Sequence, residues 1–414
     1  MSKVRRKRIL FVAEGVSLAH VTRPLVLAQS LDTNLFDVHF ACTSGYESIL
    51  KTISARFWPI NSMSSDIFLR SLSTGSPLYD RKTLHSYVTE DLRLLNHIRP
   101  HLVIGDFRLS LSVSASQYGV TYAAITNAYW SEYSTEKRCP IPELKITRVL
   151  GAPVTSAIFH LIQPLVFAHH ARPLNDVRQD YGMPPLSSLF QTYTDGDYVL
   201  YADVPGLFQT ETLPENHRYI GPIFWAPAIN LPEWWNRLDH QKPIVYVNLG
   251  SSGPVHVLPT LLKALAGMPL TVVLATAGRW TPSILPENVW VTDFLPGDQV
   301  VKRAKVVICN GGSPTVYQAL RAGVPVLGIA SNMDQHLMMR AVIREMAGML
   351  IRSERASSKL LQNAVAMLLE NVRYRGAAKR IEQVIGQHPV EKRFVKFIED
   401  LLLARSRPQC NASH

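Results

Sequence analysis

The sequence predicts an α/β protein of two doubly wound, Rossmann-like domains facing each other across a cleft. Three observations lead there. The chain has 414 residues, more than one core usually holds at roughly 150 residues per domain. Short apolar runs alternate with helical patterns, the rhythm of a parallel sheet with crossover helices, and that rhythm runs through twice. Between the two rounds lies a proline-rich stretch, 221–243, that carries Trp225, Trp234 and Trp235 and reads as an interdomain linker. The expected division is 1–220, the linker 221–243, a second domain 244–385, and a closing helix and tail 386–414.

The elements follow in order. Strands are predicted over 9–13, 36–42, 101–105 and 121–126 in the first half, and over 244–250, 270–276, 289–294, 305–310 and 325–330 in the second. Helical patterns lie at 255–266, 314–322 and 335–346, and from Ser357 onward the chain reads as helical until a basic tail after Arg405. The run 9–13 follows basic residues but is too short for a signal-peptide core, so it reads as a first buried strand. Residues 149–171 carry no formal charge and are long enough to cross a bilayer. Their polar content, including His160, Gln163, His169 and His170, predicts instead a buried or amphipathic helix, bent at Pro164.

Composition narrows the function classes. With 47% hydrophobic and 18% charged residues the chain has ample material for folded cores. Cys42, Cys139, Cys309 and Cys410 are too few and too scattered for a disulfide scaffold, and no CxxC pair offers a zinc site, so a reducing, cytoplasmic setting is expected. The net charge of +11 is partly an N-terminal arm, Lys3, Arg5, Arg6, Lys7 and Arg8; it is either a solvated extension or a contact to an anionic membrane. No helix-turn-helix, zinc-finger spacing or aromatic RNA-binding signature accompanies it, so nucleic acid is not an expected partner. Neither leading strand runs into GxGxxG, which argues against a dinucleotide redox enzyme. Asn411, followed by Ala412 and Ser413, matches a glycosylation acceptor by chance.

The most specific segment runs from Cys309 through Asn310, Gly311, Gly312, Ser313, Pro314 and Thr315 to Gly323-Val324-Pro325, and is followed by Asp334-Gln335. It reads as a buried strand, a tight glycine turn and a helix opening at Ser313 or Pro314, where free N–H groups and the positive dipole end suit an anion. Taken alone it is an ordinary strand-to-helix turn. Upstream lie Gly250-Ser251-Ser252 after a strand and Phe294-Leu295 before a Pro-Gly pair. In the first half, His20 opens a helix after the first strand and Asp106 ends a later one.

In this order the residues resemble the nucleotide-sugar-dependent glycosyltransferases of the two-Rossmann-domain GT-B type, in the large family that glycosylates small molecules. The resemblance spans nearly the whole chain. It implies a general base at His20 supported by Asp106. A donor site would hold the diphosphate at Gly250, Ser251, Ser252, Gly311, Gly312, Ser313 and Thr315, the nucleobase at Phe294 and Leu295, and the sugar at Asp334 and Gln335. Three positions depart from the pattern: Asn310 replaces a common histidine, Gln318 the usual ribose-binding glutamate, and Gly297 a frequent glutamine. The implied activity is inverting, metal-independent transfer of a sugar from a UDP-sugar, or alternatively a dTDP-sugar, to a hydroxyl of a small hydrophobic acceptor, with no prosthetic group. Alternatives are a peripheral-membrane transferase acting on a lipid-linked acceptor and a non-catalytic nucleotide-sugar-binding activator. Phe107, Tyr129 and Trp130 are expected either in an acceptor pocket or in the core.

Overall fold

The computed structural model describes residues 6–282 and 284–403; the outer part of the basic arm, Cys410, the tail beyond Leu403 and the Asn411 motif lie outside them. The first sheet has seven parallel strands: β1 (Lys7–Ala13), β2 (Phe36–Cys42), β3 (Arg56–Pro59), β4 (Leu102–Asp106), β5 (Tyr122–Thr126), β6 (Tyr198–Tyr201) and β7 (His217–Tyr219). They stand in the order β3-β2-β1-β4-β5-β6-β7. The second sheet has six: β8 (Ile244–Asn248), β9 (Thr271–Ala275), β10 (Val289–Thr292), β11 (Ala304–Cys309), β12 (Val326–Ala330) and β13 (Gly348–Arg352). Its order is β10-β9-β8-β11-β12-β13, again parallel throughout. In each sheet the strand order reverses beside the first strand, between β1 and β4 and between β8 and β11. At such a switch point the loops leaving the carboxyl ends diverge and open a crevice.

Central strands such as β1, β4 and β5 are buried on both faces, which explains their unbroken apolar runs. β3, β7 and β13, which the apolar pattern missed, are edge strands with partly exposed residues. β6 is buried but only four residues long. The helix expected over 255–266 begins as a 3-10 turn, Val255–Val257, and continues as an α-helix over Leu258–Leu265. The helix expected over 335–346 runs from Met333 to Arg344; Met338 and Met339 are fully buried, whereas Met346 lies past its end, exposed, with φ +57°. Residues 152–180 form one helix that continues through Pro164 and Pro173. Among the described residues no helix is long and apolar enough to cross a membrane.

The C-terminal stretch is three helices, Ser358–Glu370, Val372–Gly386 and Val390–Leu402. The last returns to the first sheet: Val390, Phe394, Phe397 and Ile398 join the buried cluster of Ile9, Phe11, Phe36 and Phe40, and Arg393 donates to the Tyr219 carbonyl. The chain therefore crosses between the sheets twice. Trp235 of the linker is buried, in a cluster that draws on both halves.

Candidate active site

The two switch points face one another across a cleft of about 1510 Å³, lined by both halves. From the first half it receives the start of helix Leu18–Gln29, including His20; from the second, the loops after β8 and β11 and the starts of helices Ser313–Arg321 and Met333–Arg344. Of the residues assigned to the base and the donor site, all line it except Asp106 and Gly311; Phe107 and Trp130 line it as well, whereas Tyr129 is buried in the core.

His20 Nδ1 lies 2.7 Å from Asp106 Oδ1, the fully buried last residue of β4. Arg23 Nη2 also lies 3.1 Å from this nitrogen, but the carboxylate contact is the shorter and a carboxylate only accepts, so the proton is assigned to Nδ1, which leaves the Nε2 lone pair for the cleft. The sequence reading overlooked Arg23. It sits three residues beyond His20 on the same helical face and donates from Nε and Nη2 to both oxygens of Asp106, at 2.7 and 2.6 Å. A third donation, to Asn127 Oδ1 at 2.9 Å, fixes the fork. The guanidinium is almost fully buried; the Asp106 carboxylate helps hold its pKa above the ordinary value, against burial. Asp106 is thus half of a buried bidentate ion pair, and what remains for His20 is mainly orientation of the ring and choice of tautomer. Phe107, directly after Asp106, has φ +61° and stacks on His20 with ring centres 4.5 Å apart and planes 16° from parallel. A bulky residue in that backbone region is strained, and here the strain aims the ring at the histidine. Phe107 also stacks on Tyr193, and with Phe68 and Trp130 these rings form an aromatic wall of the cleft.

In the second half the turn after β11 is locked from within. Gly311 has φ +83°, and a Cβ there would come within 2.8 Å of Met339 Cγ, so only glycine fits. The Gly311 N–H points to Cys309 Sγ and the Gly312 N–H donates to Asn310 Oδ1 at 3.0 Å, so neither is free for a ligand. The free donors lie a step further on. Helix Ser313–Arg321 starts with Ser313, Pro314 takes its second position, and the first-turn N–H groups of Ser313 and Thr315 have no partner among the described residues. Asn310 Nδ2 donates to Ser252 Oγ at 3.2 Å, which ties the loop after β8 to this helix end and leaves the Ser252 proton to point elsewhere. The result is an anion cradle of N–H groups, hydroxyls and a helix dipole. Two of the departures prove to be neighbours: a Cβ on Gly297 would fall 2.6 Å from Gln318 Oε1, so a glutamine at 297 has no room while Gln318 holds this position. Phe294 is half exposed at the cleft, whereas Leu295 is buried in the core beneath it.

Asp334 accepts at Oδ1 from Tyr129 Oη (3.0 Å) and Trp130 Nε1 (2.8 Å), both from the other half; its Oδ2 has no hydrogen bond among the described residues. Gln335 is turned inward. Its Oε1 accepts from the Ser331 and Asn332 N–H groups in a capping box, while its buried Nε2 has no partner.

Seven- and six-stranded parallel sheets that meet at a shared cleft define the GT-B architecture, and known structures of that class superpose on the whole chain. The calicheamicin glycosyltransferase CalG4 matches with a TM-score of 0.71 at 19% identity, covering 98% of this chain and 100% of that one. The glycosyltransferase VinC, solved in complex with dTDP, matches at 0.67 and 16%, covering 97% and 100%. Residues 244–401 match the family described as Erythromycin biosynthesis protein CIII-like, C-terminal domain. Over 408 residues the chain is 46% identical to the PGL/p-HBAD biosynthesis rhamnosyltransferase of Mycobacterium bovis (strain BCG / Pasteur 1173P2), covering 98% of this chain and 90% of the relative. The chain belongs to this glycosyltransferase family and is an enzyme of that kind.

Proposed function

We propose that the enzyme moves a sugar, with inversion and without a metal ion, from a nucleoside-diphosphate sugar to a hydroxyl of an apolar acceptor. The observation that carries this is the placement of an oriented base and an anion cradle on opposite walls of one cleft. The acceptor hydroxyl gives its proton to His20 Nε2 as its oxygen attacks the anomeric carbon. The bond from that carbon to the diphosphate breaks on the opposite side, and a single displacement of this kind inverts the centre. The departing charge is taken up by the Ser313 and Thr315 N–H groups, the Ser252 hydroxyl and the helix end, all fixed before the reaction. Asp334 Oδ2 is open to a sugar hydroxyl, Phe294 offers a face to the nucleobase, and Gln318 suits a ribose hydroxyl. The aromatic wall beside His20 supports an apolar acceptor.

The name of the mycobacterial relative favours a deoxyhexose donor and a natural-product acceptor, and the VinC complex favours a dTDP carrier over UDP. Thermal stabilisation by a panel of UDP- and dTDP-sugars reads the donor directly, because a ligand at a hundred times its Kd adds about 2.7 kcal/mol. One nucleotide sugar should stand out, and NMR of the product should show the anomeric configuration opposite to the donor's. Retained configuration would refute the single displacement.

A further inference from the structure

We infer that the outer face of helix Ala152–Asp180, with the short helix Lys145–Leu150 before it, is a docking surface for an anionic phospholipid bilayer, and that it turns the mouth of the cleft toward the lipid. The first observation is an apolar stripe facing water. Val154, Ile158, Leu161, Ile162 and Leu165 recur at helical spacing and are all exposed, with Leu161 at 83% and Leu165 at 74%; Val149 extends the stripe at 81%. The inward face of the same helix is already packed, through Phe159, Phe167, Leu174 and Val177. Soluble proteins seldom leave so long an apolar file uncovered.

The second observation is continuity with the cleft. Ile146, Ile158 and Ile162 are exposed and also line the cleft beside Phe159 and Val166, so the stripe begins inside the pocket and runs out onto the surface. The third is charge. Between Glu143 and Asp176 the chain has no carboxylate, while Lys145, Arg148, His169 and Arg172 are exposed at the two ends of the stripe. Arg148 is paired with Glu143, and Arg172 lies 3.9 Å from Asp176; Lys145 has no ion pair among the described residues. An apolar file rimmed by cations suits the boundary between acyl chains and anionic head groups.

A second copy of the chain is a poorer occupant. A two-fold contact through this face would bring one cationic rim near the other, with no carboxylate on the stripe to answer it. The basic arm is a separate feature, since Arg6 and Lys7 stand at the amino end of β1, whereas the cleft opens at the carboxyl ends of the strands.

The test is flotation of the full-length enzyme with vesicles of equimolar phosphatidylcholine and phosphatidylglycerol, against phosphatidylcholine alone. Neither donor nor acceptor is present, so the outcome is independent of the transfer chemistry. Leu161→Glu/Leu165→Glu is the first variant, because neither residue lines the cleft; Lys145→Gln/Arg172→Gln is the second. The wild type should float with the anionic vesicles and much less with the neutral ones. The double glutamate variant should lose at least about tenfold in partitioning, and each removed cation should cost about fivefold, the equivalent of about 1 kcal/mol. Unchanged thermal stabilisation of the variants by nucleoside diphosphate shows that they are folded. Equal flotation of wild type and glutamate variant would overturn the inference. So would a wild type that ignores anionic vesicles, and one that self-associates through this face would assign it instead to a second copy.

Discussion

At the scale of single residues, Asp106 answers to two masters. His20 Nδ1 and the Arg23 fork both bind its oxygens in a site where the carboxylate is fully buried. Removing one partner of a buried pair typically costs about 3–5 kcal/mol, because the other charge is left uncompensated. Asp106→Asn should therefore lose stability as well as turnover. Asp106→Asn/Arg23→Met, which removes both charges, should regain much of the stability in chemical denaturation while turnover stays low. If the single variant melts like wild type, Arg23 is not the structural partner of Asp106. Arg23 belongs to the same short motif as His20, and its spacing by one helical turn was the available signal; without the fold, nothing said that Asp106 would lie opposite that turn.

At the scale of elements, the loop ends of β1 and β4 also carry a buried charge cluster. Arg108 donates to Glu14 at 3.1 Å and to Asp91 at 3.0 and 3.2 Å, and its guanidinium lies over the Tyr87 ring. One guanidinium facing two fully buried carboxyls leaves an excess negative charge, and burial pushes Glu14 up to about 7 despite the ion pair. The folded chain then holds a proton on Glu14 that the unfolded chain, at about 4.5, releases. Its contribution is complete below pH 4.5 and is lost as pH rises through about 7. Glu14→Gln keeps the acceptor oxygen without the titration, so its melting temperature should gain on wild type across that interval; a constant difference would place the proton elsewhere. Much of this level was legible in the sequence. Strands buried on both faces announced themselves as apolar runs, and β2 matches its predicted limits. Half-exposed edges such as β3 and β7 did not, because a three- or four-residue strand held by one neighbour has no pattern of its own. The site residues were legible as types in order, and the helix opening at Ser313 or Pro314 was already expected to offer N–H donors, but the sequence did not show whether the amides of Gly311 and Gly312 would join them. Their N–H groups are spent within the turn, and which amide stays free is decided by side chains such as Asn310.

At the scale of the whole molecule, the two halves meet where the chemistry is assigned. Tyr129 and Trp130 of one half grip Oδ1 of Asp334 in the other, and Tyr317 donates across the same junction to Asp203, whose carboxyl burial raises to about 6. Asp334→Asn keeps Oδ1 but changes the free Oδ2, so it should weaken the intact sugar donor about tenfold while calorimetric binding of the free nucleoside diphosphate stays nearly unchanged. Equal loss of both would mean that Asp334 serves domain closure and not the sugar. The central claim is that one half supplies the base and the other the leaving-group site, and His20→Ala separates them most directly. Positioned bases contribute about 10²- to 10⁴-fold, so kcat should fall within that range while donor binding by the folded variant, measured in parallel, is retained. Sugar transfer by His20→Ala at the wild-type rate, with donor binding intact, would contradict the account.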